Sequence, residues 1–284
     1  MFLKEFHRFF LEELKLVYEA PEASAITYMI FEFMAGIDKQ AIITQPQRAV
    51  TVALQQQIET ALKRLKQMEP VQYVIGYAWF CNLRFKVSQA VLVPRPETEE
   101  LVKSVLDFIK KHPVQTLLDI GTGSGCIPIS IKNKVPALNV TAIDVSEAAL
   151  QVAKENGVNL GADIHFLNSN FLLEESWKSL GTFDVIVSNP PYIPETELVT
   201  MPENVTAFEP HLALFVPNNE RFIFYEKIAA FGLGHLAASG CIFMETHEDF
   251  TKQVQAIFKD LGYEASIKKD LYEKERMIMA TRYR

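Results

Sequence analysis

The chain has 284 residues, 49% of them hydrophobic, and a formal charge of −7. That length suits one large domain with a smaller companion, and an acidic balance without a dense Lys/Arg run argues against affinity built on phosphate contacts. No segment approaches the ~20 apolar residues that span a bilayer, and the N-terminus interleaves charges with apolar residues, unlike a signal peptide, so a cytoplasmic protein with no membrane partner is expected.

Phe2, Leu3, Phe6, Phe9, Phe10, Leu14 and Val17 recur at helical spacing. A second stripe, Ala25, Ile26, Met29, Ile30, Phe33 and Met34, lies between Pro21 and Gly36. Pro46 opens a third helix carrying Val50, Leu54, Ile58, Ala61, Leu62, Leu65 and Met68. Residues 1–70 therefore read as a small helical bundle. Over 71–93 the period changes to two, with Leu83, Phe85 and Val87 alternating with Arg84, Lys86 and Ser88, which predicts a β-hairpin linker. A helix over 97–111 follows, with Pro96 at its start and acids in its first turn.

Beyond it, strands and helices alternate: strand 116–120, a helix from 125, strand 139–144, helix 147–155, strand 163–168 and strand 183–189. Ser146 is a plausible N-cap for helix 147–155, with Asn156-Gly157 as its stop. After a long loop the pattern predicts helix 222–236, strand 240–246, helix 249–261 and a terminal hairpin of strands near 263–269 and 275–282. Such alternation implies a parallel sheet, into which the hairpin inserts an antiparallel strand. Cys81, Cys126 and Cys241 are widely spaced in apolar runs, which reads as buried free thiols and not as a redox or metal motif. His211 and His247 have no Cys or carboxylate partners at metal spacing, so no metal is expected.

Three stretches carry chemistry. After strand 116–120 comes Gly121-Thr122-Gly123-Ser124-Gly125, whose alternate glycines permit a tight turn, positive φ and close backbone approach to a ligand. About twenty residues on, strand 139–144 ends in Asp144, an acid able to accept both ribose hydroxyls of a nucleoside. The spacing is not Gly-x-Gly-x-x-Gly and no Gly-Lys-Ser/Thr follows, which favours a nucleoside with an amino-acid tail over a phosphate ligand; S-adenosylmethionine fits. The third stretch is Asn189-Pro190-Pro191-Tyr192, directly after the apolar run ending at Ser188. Two prolines stop the strand and leave Asn189 at its tip. An amide oxygen and a backbone carbonyl can each accept one N–H of a planar NH2 group, and the tyrosine ring can cover its flat face.

Together, Asp119-Ile120-Gly121-Thr122-Gly123-Ser124-Gly125, Asp144 and Asn189-Pro190-Pro191-Tyr192 resemble a class I S-adenosylmethionine-dependent methyltransferase acting on an amide or amine nitrogen. Val93-Pro94-Arg95-Pro96-Glu97-Thr98-Glu99, Pro70-Val71-Gln72-Tyr73-Val74-Ile75-Gly76 and Phe208-Glu209-Pro210 resemble the protein-glutamine N5-methyltransferases that modify peptide chain release factors. The resemblance runs from about Pro70 to the C-terminus. It implies an α/β fold with a Rossmann-like, mostly parallel sheet and an antiparallel C-terminal hairpin. It also implies a helical substrate-docking domain over 1–70, a hairpin linker over 71–93 and a methyltransferase domain over 94–284.

The substrate implied is the glutamine of the Gly-Gly-Gln loop in class I release factors, with no direct nucleic-acid contact. A monomer is expected, the oligomeric state being otherwise open. S-adenosylmethionine would be held by Gly121, Thr122, Gly123, Ser124, Gly125, Asp144, Phe171 and Asn189. The substrate amide would be held by Asn189, Pro190, Pro191 and Tyr192, of which Asn189, Pro190 and Tyr192 are the catalytic candidates. Asp119 divides between capping the glycine loop and an amino-group contact, Arg95 between a salt bridge and shaping a substrate channel, and Glu245 between a polar ligand contact and a structural role. Members often carry an acid where Asn170 stands.

Three other functions compete. A ribosomal-protein glutamine N5-methyltransferase would share every motif. An adenine N6-methyltransferase would also use Asn-Pro-Pro-Tyr, but acidic charge and the lack of a basic or aromatic-rich recognition domain count against it. A non-catalytic cofactor-binding scaffold is disfavoured by the intact glycine loop, Asp144 and Asn189.

Overall fold

The computed structural model describes residues 1–282, so the last two residues of the expected 94–284 domain lie outside the described residues. In chain order the elements open with α1 (Leu3–Leu14), α2 (Ala20–Ala35), α3 (Lys39–Thr44), α4 (Val52–Lys66) and α5 (Val71–Ile75), then β1 (Tyr77–Phe80), β2 (Leu83–Lys86) and α6 (Pro96–Ile109). Next come β3 (Thr116–Ile120), α7 (Cys126–Lys134), β4 (Asn139–Asp144), α8 (Glu147–Asn159), β5 (His165–Asn168) and β6 (Phe183–Ser188). Past Asn189 lie β7 (Ile193–Pro194), α9 (Glu203–Phe208), α10 (His211–Leu214) and β8 (Phe215–Val216). The chain closes with α11 (Ile223–His235), β9 (Leu236–Glu245), α12 (Thr251–Asp260), β10 (Tyr263–Lys269) and β11 (Glu275–Arg282). Two compact units result: Met1–Tyr77 with Pro202–Phe208, and Ala78–Met201 with the chain from Glu209 onward.

The first unit is a helical bundle. Leu3, Phe6, Phe10 and Leu14, one face of α1, bury against Ile26, Ile30 and Phe31 of α2 and Ile58, Leu62 and Leu65 of α4. Pro21 sits inside the first turn of α2, where its missing N–H costs nothing, and Gly36 ends that helix at φ +62°. The third helix starts at Val52, later than Pro46, because the Thr51 hydroxyl accepts from Leu54 N at 3.3 Å and caps it there. Two short helices carry no periodic stripe of their own: α3, capped by Asp38 accepting from Ala41 N at 2.7 Å, and α5, closed by Gly76 at φ +80°.

The second unit is built on a seven-stranded sheet in the order β10-β11-β9-β6-β3-β4-β5. β3 runs parallel to both β4 and β6, β4 to β5 and β6 to β9, while β11 lies antiparallel between β9 and β10. Apolar clusters cover both faces, one around Ile186, Tyr225, Phe231, Ile242 and Phe258, the other around Phe85, Val105, Ile129, Val187 and Phe243. Burial on both faces is why β3 and β6 read as continuous apolar runs.

From β3 the strand order departs in two directions, to β4 on one side and to β6 on the other. In such sheets ligands bind outside the C-terminal ends of the strands, at this switch point. Register brings those ends level, with Ile120 beside both Ile143 and Ser188, and Ser188 beside Met244.

Helix α8 runs past the expected stop at Asn156-Gly157 to Asn159. Asn156 is buried, its Oδ1 accepting from Lys86 N at 2.7 Å and its Nδ2 donating to Lys86 O and Ser124 O at 3.0 and 2.9 Å. Gly157 leaves room for Phe166 and the Ala162 carbonyl, which a Cβ there would approach to 3.3 and 3.2 Å. Both residues serve packing, and neither ends the helix.

Candidate active site

The glycine loop leaves the tip of β3 and folds across β4, with Gly121 N and Thr122 N both donating to Ile143 O at 2.9 and 3.0 Å. Gly121, Gly123 and Gly125 all take positive φ, at +74°, +54° and +77°. A Cβ at Gly121 or Gly123 would meet nothing within 4 Å, so the backbone there faces open space. At Gly125 a Cβ would lie 2.9 Å from Ile129 Cδ1 and 3.3 Å from Ala153 Cβ, so this third glycine lets α7 and α8 pack together.

Asp144, at the tip of β4, accepts from Gly123 N through Oδ2 and from Ser146 N through Oδ1, each at 2.9 Å. Those amides stabilise its charge while burial raises its pKa. Asp119 is fully buried and neither of its oxygens makes a well-formed hydrogen bond. Burial pushes its carboxyl up to about 7, with the Thr122 hydroxyl opposing the shift and the charge of Asp144 adding to it.

The second wall grows from the tip of β6. Asn189 Nδ2 donates to Thr98 Oγ1 at 3.1 Å. Thr98 Oγ1 donates to Glu245 Oε2 at 2.7 Å, and Tyr192 Oη donates to Glu245 Oε1 at 3.1 Å. Thr98 lies in the first turn of α6 and Glu245 is the last residue of β9, so the amide and the tyrosine of the corner are tied to one carboxyl. Glu245 and Thr98 are both buried. Burial raises the Glu245 pKa, while the Thr98 and Tyr192 hydroxyls and the Arg276 charge pull it back.

Between these walls lies a cavity of about 250 Å³, far larger than the water-sized voids of an ordinary core. Gly121, Thr122, Gly123, Ser124, Asp144, Phe171, Asn189 and Pro191 all line it, so most of the residues expected from sequence converge. Gly125, Pro190 and Tyr192 are not among its lining residues. Pro190 is buried, and Tyr192 is half-buried with its ring against the core. Phe171 lines the cavity while its ring packs on Trp177 and Phe231, at centroid distances of 5.5 and 5.3 Å. Asn170 lines it too, its Oδ1 accepting from Leu172 N at 3.1 Å.

Arg95 makes the salt bridge expected of it, donating to the buried Glu209 at 2.5 Å, and also lines the cavity. Glu209 also accepts from Val93 N at 3.2 Å, so one carboxylate ties the 93–95 segment to the stretch carrying Pro210, Leu212 and Ala213 on the cavity wall. Thr98 and Glu209 were invisible as functional residues in sequence, although each lies in a stretch that carried the family resemblance. Burial pushes the Cys126 and Cys241 thiols up to about 12, so both stay protonated and inert. Among the described residues no His, Cys, Asp and Glu cluster could hold a metal ion, and no helix is long and apolar enough to cross a membrane.

The donor set fits S-adenosylmethionine. Asp144 offers a carboxylate for ribose hydroxyls, the open backbone at Gly121 and Gly123 admits a ligand at close range, and the cavity is largely apolar elsewhere. A Rossmann-like sheet with this loop, this acid and this amide corner defines a class I S-adenosylmethionine-dependent methyltransferase. Residues 100–205 match the Methyltransferase small domain family, and residues 8–76 match the PrmC N-terminal domain family. The chain is 36% identical to the release factor glutamine methyltransferase of Flavobacterium psychrophilum over 98% of both chains. It is 36% identical to that of Bacteroides thetaiotaomicron over 95% of this chain and 97% of the relative, and 43% identical to that of Lactococcus lactis over 76% and 78%. The chain belongs to the release factor glutamine methyltransferase family. Solved structures agree on the fold: a methyltransferase from Pyrococcus furiosus has a TM-score of 0.50 at 19% identity, covering 82% of this chain and 100% of its own. The hMettl16 catalytic domain has a TM-score of 0.54 at 13% identity, covering 82% and 83%.

Proposed function

We propose that this enzyme methylates the side-chain amide nitrogen (N5) of the glutamine in the Gly-Gly-Gln loop of class I peptide chain release factors. The observation that carries this reading is that Asn189 and the open glycine loop line one cavity, in a chain alike over nearly its whole length to enzymes of that name.

A carboxamide nitrogen is a poor nucleophile because its lone pair is delocalised into the carbonyl. S-adenosylmethionine, when bound, supplies an electrophilic methyl group on a sulfonium. The work of the chain is orientation. Asn189 Oδ1, on the cavity wall, would accept one N–H of the substrate amide, and the carbonyl of Pro190, next in the chain but not among the lining residues, would accept the other, turning the remaining lobe toward the methyl group. Both acceptors stabilise the positive charge that grows on nitrogen as the N–C bond forms and the S–C bond breaks. Tyr192, whose hydroxyl is tied to Glu245, would cover the amide plane at the edge of the corner, outside the cavity lining. Holding reacting atoms at ~3–3.5 Å in line supplies most of the acceleration such a transfer needs, and the extra proton, made strongly acidic by the new positive charge, passes to solvent after transfer. The helical region 1–70 is proposed to dock the protein substrate, and Asp144 with Gly121 and Gly123 to hold the methyl donor.

The test is radiolabelled methyl transfer to purified release factor, ribosomal protein and DNA. Label on release factor is expected; label on DNA alone overturns the reading. Asn189→Ala should cut transfer by at least ~100-fold, as loss of one aimed polar group does elsewhere, while S-adenosylmethionine still binds. Near-normal turnover in that variant would sink the role of the corner.

A further inference from the structure

An asparagine amide presents an acceptor on one side and two donors on the other, and only the first is complementary to a substrate NH2. Something must decide which side faces the cavity. The hydroxyl of Thr98 touches both Asn189 Nδ2, at 3.1 Å, and Glu245 Oε2, at 2.7 Å. A hydroxyl has one proton. Ionised, with hydroxyls of Thr98 and Tyr192 on its two oxygens, Glu245 only accepts, so that proton points at Glu245, and the Thr98 oxygen is left as an acceptor toward Asn189. The Asn189 NH2 must then turn to Thr98, and Oδ1 is the polar atom that remains.

We propose that Thr98 and Glu245 are positioning residues, a two-link relay that fixes the Asn189 amide with its oxygen offered to the substrate NH2. The inference rests on the reading of Asn189 as the acceptor of the substrate amide. Neither residue needs to touch the reacting atoms. A flipped amide would set NH2 against NH2 in the cavity and place the Asn189 oxygen against a hydroxyl oxygen whose proton is committed elsewhere. Buried mispairings of that kind are strongly disfavoured.

Glu245 uses its second oxygen for Tyr192, at 3.1 Å, so both ends of Asn189-Pro190-Pro191-Tyr192 refer to the same buried group. The relay also joins three elements: α6 supplies Thr98, β9 supplies Glu245, and the tip of β6 supplies Asn189. Because β6 and β9 are paired up to Ser188 and Met244, the carboxyl and the amide leave adjacent strand tips.

The experiment uses the full chain, with kcat and KM for purified release factor and the dissociation constant for S-adenosylmethionine by calorimetry. Thr98→Val keeps the shape and removes the hydroxyl; kcat should fall on the order of 100-fold, the cost of a misplaced reacting group, with the S-adenosylmethionine dissociation constant unchanged. Thr98→Ser restores the hydroxyl alone and should recover most of the loss. A near-wild-type kcat in Thr98→Val overturns the relay, as does a Thr98→Ser variant as slow as Thr98→Val, since the methyl group would then be the part that matters. Should Thr98→Val not fold, Thr98→Ala compared with Thr98→Ser decides the same point. A wild-type enzyme that labels ribosomal protein and not release factor overturns the substrate assignment instead, and the series is then read on the substrate it labels.

Discussion

Asp119 is the least comfortable side chain in the catalytic unit, a fully buried carboxyl with no well-formed hydrogen bond at either oxygen and only the nearby Thr122 hydroxyl to favour its charge. Burial and the neighbouring Asp144 lift its pKa from 3.8 to about 7. A raised carboxyl means that the folded state holds its proton more tightly than the unfolded chain does. Its contribution to stability is therefore fully present below pH 3.8 and is lost as pH rises through about 7. The full span corresponds to up to about 4 kcal/mol. Asp119→Asn removes the titration while keeping the shape. Melted without added S-adenosylmethionine, the variant should gain over wild type at pH 8, and that gain should exceed the gain at pH 5 by up to about 3 kcal/mol. A difference independent of pH would show that Asp119 does not titrate in this window.

At the scale of elements, the glycine loop separates two jobs that a sequence motif merges. Gly125→Ala drives a Cβ to 2.9 Å from Ile129 Cδ1 and 3.3 Å from Ala153, at φ +77°, so α7 and α8 must move apart; overpacking of this kind costs about 1–3 kcal/mol. Gly121→Ala meets no neighbour within 4 Å and pays only for its positive φ, on the order of 1 kcal/mol, but its methyl occupies space open to a ligand. Melting should therefore single out Gly125→Ala, whereas calorimetry should single out Gly121→Ala through weakened S-adenosylmethionine binding. Equal effects in both measurements would mean that the loop acts as one unit.

The same distinction marks what sequence could show. β3 and β4 were legible to the residue, because apolar runs buried on both faces stop abruptly at a glycine turn or a charge. Asn189 and the loop were legible because prolines and alternate glycines dictate backbone shape locally. Thr98 was not, since its partners lie 91 and 147 residues away in the chain. The Asn156-Gly157 pair has the local preference of a helix stop, but the ties of Asn156 to Lys86, 70 residues away, and to Ser124 outweigh it.

For the whole molecule, the two units differ in what a ligand can stabilise. The bundle has its own core, drawn from Leu3 to Val74, whereas every residue lining the cavity lies between Ala90 and Phe224 in the catalytic unit. S-adenosylmethionine at about 100 times its dissociation constant stabilises the species it binds by about 2.7 kcal/mol. That gain belongs to the cooperative unit whose opening destroys the site. Hydrogen exchange should therefore slow at amides of β3, β4 and β6 when S-adenosylmethionine is added and stay unchanged at amides of α1, α2 and α4. Helix α9 makes the test sharp, because it lies between β7 and α10 in sequence but groups with the bundle in space. Its amides should follow α1 and α4 if spatial grouping governs opening. Slowing of α9 together with β6 would show that proximity along the chain governs it instead, and equal slowing in the bundle would show that the two units open as one.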